Sequence, residues 1–108
     1  KGQYNPIENG KGFVMLGCGL WAVGKKDEAL AAFREAYTVD YKGKLSRWAV
    51  FARIKAGNLL DHLGRREEAL QEYKFAIKQP DLWDFRDLAK GFVSKPYAHA
   101  IPDRIPPP

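Results

Sequence analysis

The sequence predicts an all-α fold: antiparallel helical hairpins stacked side by side, about five helices in all, followed by an extended proline-rich tail. Three observations carry this. First, residues 17–36 and 57–76 follow one pattern, with matched positions displaced by 40 residues: Gly17/Gly57, Gly24/Gly64, Ala29/Ala69, Leu30/Leu70, Phe33/Tyr73 and Ala36/Ala76. A repeat of this length marks a supersecondary unit that buries its apolar face only by stacking on a neighbour. Second, apolar residues recur at helical spacing through both copies. Third, five of the seven prolines lie beyond residue 95, which confines the extended chain to the C-terminal end.

Each element has a local reason. Residues 1–10 read as a lead-in, with Asn9 as the N-cap of a helix over about 11–23. Phe13, Leu16, Gly17, Leu20 and Trp21 carry its period. Gly24 then occupies the C′ position that ends a helix. Asp27 and Glu28 favour the start of a second helix through its dipole. That helix runs to about Val39, with Ala29, Leu30, Phe33, Ala36 and Tyr37 on one face. Residues 41–44 are a short basic connection. A longer helix over about 45–63 carries Leu45, Trp48, Ala52, Ala56, Leu59, Leu60 and Leu63, and Gly64 ends it. A fourth helix spans about 66–78 and stops at Gln79-Pro80.

Asp81 is the expected N-cap of a fifth helix over about 82–93. Its stripe is Leu82, Phe85, Leu88, Ala89 and Phe92; its wet face is Asp84, Arg86, Asp87 and Lys90. A lone closing helix suits a hairpin stack, whose last apolar flank needs a cover. The domain therefore spans 11–94: repeat one about 11–40, repeat two about 45–80, and a cap about 82–93. Residues 95–108 form the tail, either a linker or a strand docked on its own domain or a neighbour.

The repeated residues imply close helix packing. Gly17 and Gly57 fall mid-helix, where glycine costs ~1 kcal/mol relative to alanine. The expected return is an approach of the facing helix, with Phe33 and Tyr73 filling the space between small residues.

Composition narrows the function. The 108 residues carry 45% apolar and 29% charged side chains, with a net charge of +5, an ordinary globular mixture. The basic residues are spread along the chain beside acids, as in Lys25-Lys26-Asp27-Glu28, which argues against nucleic acid as the partner. No apolar run reaches the ~18 residues of a membrane span. The single Cys18 makes no internal disulfide. The chain starts at Lys1 rather than Met, so it reads as a piece of a longer protein, and either a cytoplasmic or an exported location fits. Cys18 and Ser46 have no evident base, and His62 and His99 are too few for zinc. No phosphate loop is present, and the acidic pairs Asp27-Glu28 and Glu67-Glu68 read as helix starts. No catalysis, cofactor or metal is expected.

The pattern resembles the tetratricopeptide repeat, a helix–turn–helix motif. The first copy matches with Phe13, Leu16-Gly17, Leu20, Ala29, Phe33 and Ala36; the second with Ala56-Gly57, Leu60, Ala69, Tyr73 and Ala76. Departures are the period of 40, Arg53 at the first large position of the second copy, and Tyr41 and Pro80 in place of the terminal proline. The resemblance implies a short right-handed solenoid that binds a protein or peptide segment in a concave groove. Carried over residue by residue, the groove lining would be Val14, Met15, Cys18 and Trp21 from repeat one, with Lys11 and Ala22 beside them. Repeat two would supply Phe51, Ile54, Lys55, Asn58, Asp61 and His62. The alternative is that some of these pack against flanking helices or the tail. Some relatives clamp a peptide carboxylate through Lys and Asn. Here Asn58 matches, but Ile54, Val14 and Cys18 stand where the clamp needs other residues. The stretch from Trp83 to Tyr97 is similar to the ending of bacterial proteins in which a few such repeats close a larger chain. The implied function is a non-catalytic protein-interaction module. The alternative is a structural C-terminal module that packs on its own upstream domain or self-associates through the tail.

Overall fold

Pro6 opens the first helix, α1 (Pro6–Ala22), in a computed structural model that describes residues 6–38, 40–41, 44–45, 47–79 and 85–102. The helix thus begins five residues before the expected start, and Asn9 lies inside it rather than at its cap. The physical reason is the proline: its fixed φ and missing N–H suit the first helical position, where the N–H has no intrahelical partner. The other helices follow the period closely: α2 (Lys26–Thr38), α3 (Arg47–His62), α4 (Arg66–Ile77) and α5 (Phe85–Ser94). Asp27 and Glu28 fall in the first turn of α2, and Glu67 and Glu68 in that of α4, where they complement the dipole. The expected N-cap Asp81 and Leu82 lie outside the described residues.

The 41–44 connection differs from expectation. β1 (Asp40–Tyr41) and β2 (Lys44–Leu45) form a two-rung antiparallel ladder, pairing Asp40 with Leu45 and Tyr41 with Lys44. Leu45 therefore belongs to this ladder and not to α3. A ladder this short satisfies backbone groups locally where two hairpins join, and among the described residues the rest of the regular structure is helical.

Both hairpins turn in the same way. Gly24 and Gly64 sit at φ +90° and +79°. At the first turn the Gly24 N–H donates to Trp21 O (2.9 Å) and the Lys25 N–H to Leu20 O (2.8 Å). At the second, Gly64 donates to Asp61 O (3.0 Å) and Arg65 to Leu60 O (2.8 Å). This paired closure needs a left-handed residue, which glycine adopts without strain. Identical turns make α1–α2 and α3–α4 the same unit twice.

Within each unit the mid-helix glycine admits an aromatic ring. A Cβ on Gly17 would stand 2.5 Å from Phe33 Cε1, and one on Gly57 would stand 2.8 Å from Tyr73 Cζ. Phe33 and Tyr73 are both fully buried. The units then pack through α2 against α3, with α1 also touching α3, and α5 covers α4 and α3. One continuous core runs from Val14, Trp21 and Phe33 through Ile54 and Leu59 to Tyr73 and Ala89. Leu16, expected on the buried face of α1, is instead 52% exposed.

Arg53 takes the place of a large apolar residue at the seam between units. Its guanidinium lies 4.1 Å from the Tyr37 ring centroid on α2 and 3.9 Å from that of Phe75 on α4. It also pairs with Glu72 at 3.2 Å. A planar cation stacks on rings while keeping its edge for a carboxylate, so it can fill an aromatic slot.

Gly17→Ala and Gly57→Ala are each expected to lower unfolding free energy by about 1–3 kcal/mol through overpacking. Gly91→Ala, with nothing within 4 Å of the added Cβ, should be neutral or stabilising by up to ~1 kcal/mol. Urea titration of the three variants measures the contrast.

Candidate functional site

The inner faces of α1 and α3 meet the C-terminal chain that leaves α5. Trp21 and Asp61 occupy the same position of the two repeats, 40 residues apart, and each holds the backbone of that chain. The Trp21 indole Nε1 donates to Ala100 O at 2.9 Å. The Tyr97 backbone N–H donates to Asp61 Oδ2 at 3.0 Å. One repeat thus supplies a donor and the other an acceptor, and the described tail, residues 96–102, crosses from the second repeat to the first. Tyr97 OH donates to Ile101 O at 2.6 Å, which fixes the local shape of the segment.

Asp61 is compensated from several sides. Its side chain is 1% exposed. Tyr73 OH donates to Oδ2 at 2.7 Å, and Arg66 Nη1 reaches both oxygens at 3.1 Å. A second Arg66 nitrogen donates to Val93 O at 2.8 Å, at the end of α5. Asn58, fully buried, donates through Nδ2 to Tyr73 OH at 3.0 Å. A carboxylate buried this far is costly unless such partners satisfy its oxygens. Burial, then the hydrogen bond to Asp61, pushes the Tyr73 phenol well above its usual range.

Aromatic rings line the same path. Trp21 lies 5.9 Å from His62 and 5.8 Å from Tyr97; Tyr97 lies 5.7 Å from Phe92, and Phe92 lies 5.4 Å from Tyr73. Phe51 stacks on Phe85 at 5.2 Å. Lys55, only 3% exposed, places Nζ 5.4 Å from the Phe51 centroid and 6.0 Å from that of Tyr97.

The residues predicted to line a groove therefore divide. Val14, Trp21, Phe51, Ile54, Lys55 and Asn58 are buried, Cys18, Asp61 and His62 are half-buried, and Met15 is exposed. Trp21, Lys55, Asp61 and His62 converge near Tyr97. Met15 does not join them; it points away on the open side of α1. Burial pushes the Cys18 thiol above its usual range, and the Lys55 charge works against that shift. A raised thiol is a weak nucleophile. Among the described residues no group of three or more His, Cys, Asp or Glu could hold a metal, and no helix is long and apolar enough to cross a membrane.

Sequence reasoning missed Tyr97, Tyr73 OH and Arg66 as members of this site. The signal for Tyr97 was an aromatic residue inside an otherwise proline-rich, polar tail. For Tyr73 it was the one hydroxyl by which it differs from Phe33. Comparison with known proteins finds no matching family model, no matching curated protein and no matching solved structure.

Tyr73→Phe keeps the ring in the Gly57 notch but leaves Asp61 and Asn58 each a partner short. The expected cost is about 1–3 kcal/mol in urea unfolding. Tyr37 is shifted upward like Tyr73, first by its own burial and then by Glu72. Both folded phenols hold protons that unfolded tyrosines release near pH ~10, so stability is full below that pH and falls as pH rises above it. Ultraviolet titration should show these two ionising only with unfolding.

Proposed function

We infer that this chain is a non-catalytic protein-interaction module of the tetratricopeptide kind, whose inner groove takes an extended protein segment. One observation carries this reading: equivalent positions of the two repeats, Trp21 and Asp61, each bind a backbone group of the non-helical chain beyond α5, at Ala100 O and the Tyr97 N–H. Backbone hydrogen bonds give affinity for extended chain without dictating its sequence, while a side-chain pocket adds choice. The pocket here is the ring set around Tyr97, and Trp and Tyr are the residues that dominate interface energetics. The chain's own residues 96–102 hold the groove at rest, and a partner segment would compete with them by mass action.

A second reading is favoured by the same intramolecular contact. Because Tyr97 is 5% exposed and part of the core, the tail can be a permanent structural strap. The two readings separate in one experiment. A labelled peptide of residues 95–102 is titrated into the full chain and into its Tyr97→Ala variant. The interaction reading expects saturable binding, at least about tenfold tighter to the variant because its own segment no longer competes. No binding to either, with Tyr97→Ala destabilising the fold by ~3 kcal/mol or more, leaves the strap.

A further inference from the structure

A cleft of about 530 Å³ lies between α5 and the chain that turns back from it, a volume within the range of ligand sites. Asp87, Leu88, Gly91, Phe92 and Lys95 line it from the helix, and Pro96 to His99 line it from the tail. Positions 87, 88, 91, 92 and 95 form one stripe of a helix. Gly91, at the middle of that stripe, leaves the space open: a Cβ there meets nothing within 4 Å. Leu88 beside it is 39% exposed and Phe92 is half-buried. The Phe92 and His99 rings each stand edge-on to the Tyr97 ring, at 5.7 and 5.2 Å.

The middle of this cleft has few hydrogen-bonding groups to offer. Leu88, Gly91, Phe92, Pro96 and Ala98 carry no polar side-chain atom. The Lys95 N–H donates to Gly91 O at 2.9 Å, Pro96 has no N–H, and the Tyr97 N–H donates to Asp61. The Tyr97 hydroxyl donates to Ile101 O. An added β-strand would therefore find no row of donors, and its own N–H groups would be buried without acceptors. A proline-rich segment has no N–H to lose, is extended before it binds, and keeps its carbonyls in water. Grooves lined by aromatic rings accept such segments.

The ends of the cleft carry opposite charges. Asp87 lies in the first turn of α5 and Lys95 follows its last residue, about 12 Å apart along the axis. Both are exposed, and among the described residues neither enters an ion pair. At ~3.1 Å per residue, about four prolines span that distance.

We propose that the cleft between α5 and the tail binds a proline-rich extended segment of a partner protein, about four prolines long and flanked by a basic and an acidic residue. The cation meets Asp87, the carboxylate meets Lys95, and the prolines cross Gly91 between the Phe92 and His99 rings. The site is separate from the inner groove and does not depend on the function proposed for it. Residues 96–99 line the cleft only while the tail is seated, so an occupied cleft also holds the tail in place.

The test is titration of the full chain with the synthetic peptide Arg-Pro-Pro-Pro-Pro-Glu, followed by backbone amide and indole shifts. Saturable shifts are expected at Leu88, Gly91, Ala98 and His99, with the Trp21 indole unmoved. Replacing the four prolines by Gly-Ser-Gly-Ser should weaken binding at least about tenfold, because the flexible segment must be ordered and its N–H groups left unpaired. Gly91→Leu should weaken it as much by filling the cleft, while thermal unfolding stays equal or rises because the side chain enters open space on a helix. Asp87→Asn should cost about threefold and reduce the salt dependence. No saturable shift up to about 2 mM peptide overturns the proposal. So does binding indifferent to Gly91→Leu or to loss of the prolines. Shifts centred on the Trp21 indole would move the segment to the inner groove, and shifts at Gly91 that follow protein concentration without peptide would give the cleft to a second copy; either overturns it.

Discussion

A carboxylate whose side chain is 1% exposed is costly to bury unless donors surround it, and around Asp61 the donors come from separate segments. Tyr73 and Arg66 reach it from α4, and the Tyr97 amide from the chain beyond α5. Arg66 extends the same set to the last turn of α5 through Val93 O. Removing any one donor leaves the others facing an under-compensated charge. The tail, the cap helix and the second hairpin are thereby made to depend on one another.

That carboxylate is in place because the hairpin beneath it is tight. The ring of Tyr73 enters the notch at Gly57 and its hydroxyl emerges beside Asp61, while Phe33 fills the matching notch at Gly17 and has no hydroxyl to offer. The two units share a backbone and a turn but differ in what they present inward. Repeat one offers an indole N–H and repeat two a carboxylate. A small sequence difference on a repeated scaffold thus produces a directional surface, donor at one end and acceptor at the other. Arg53, stacked between Tyr37 and Phe75, keeps the two units in register so that these groups remain a fixed distance apart.

The fold was legible because its rules are local. Glycines ending helices, acidic first turns and a 3.6-residue period each act within a few residues, and the 40-residue displacement tied the copies together. The start of α1 was missed because Asn9 is a good cap in isolation, while Pro6 is a better first helical residue three positions earlier. The short ladder at Asp40–Tyr41 and Lys44–Leu45 was missed because nothing in a basic four-residue connection distinguishes a ladder from a loop. The inner face was legible as a set of residues but not as an occupied one. Whether Trp21 and Lys55 face solvent depends on where residues 96–102 return, a long-range contact with no periodic signature. Leu16 reads as core by spacing and is 52% exposed, on a face of α1 that the described residues leave open.

Amide hydrogen exchange at Tyr97 tests the central claim most directly, since that amide donates to the buried carboxylate rather than to another backbone group. If Asp61 holds the returning chain in its groove, exchange is slowed about 1000-fold or more relative to an open chain, comparable to the amides of α3. Exchange at the unprotected rate, with α3 still protected, would contradict it.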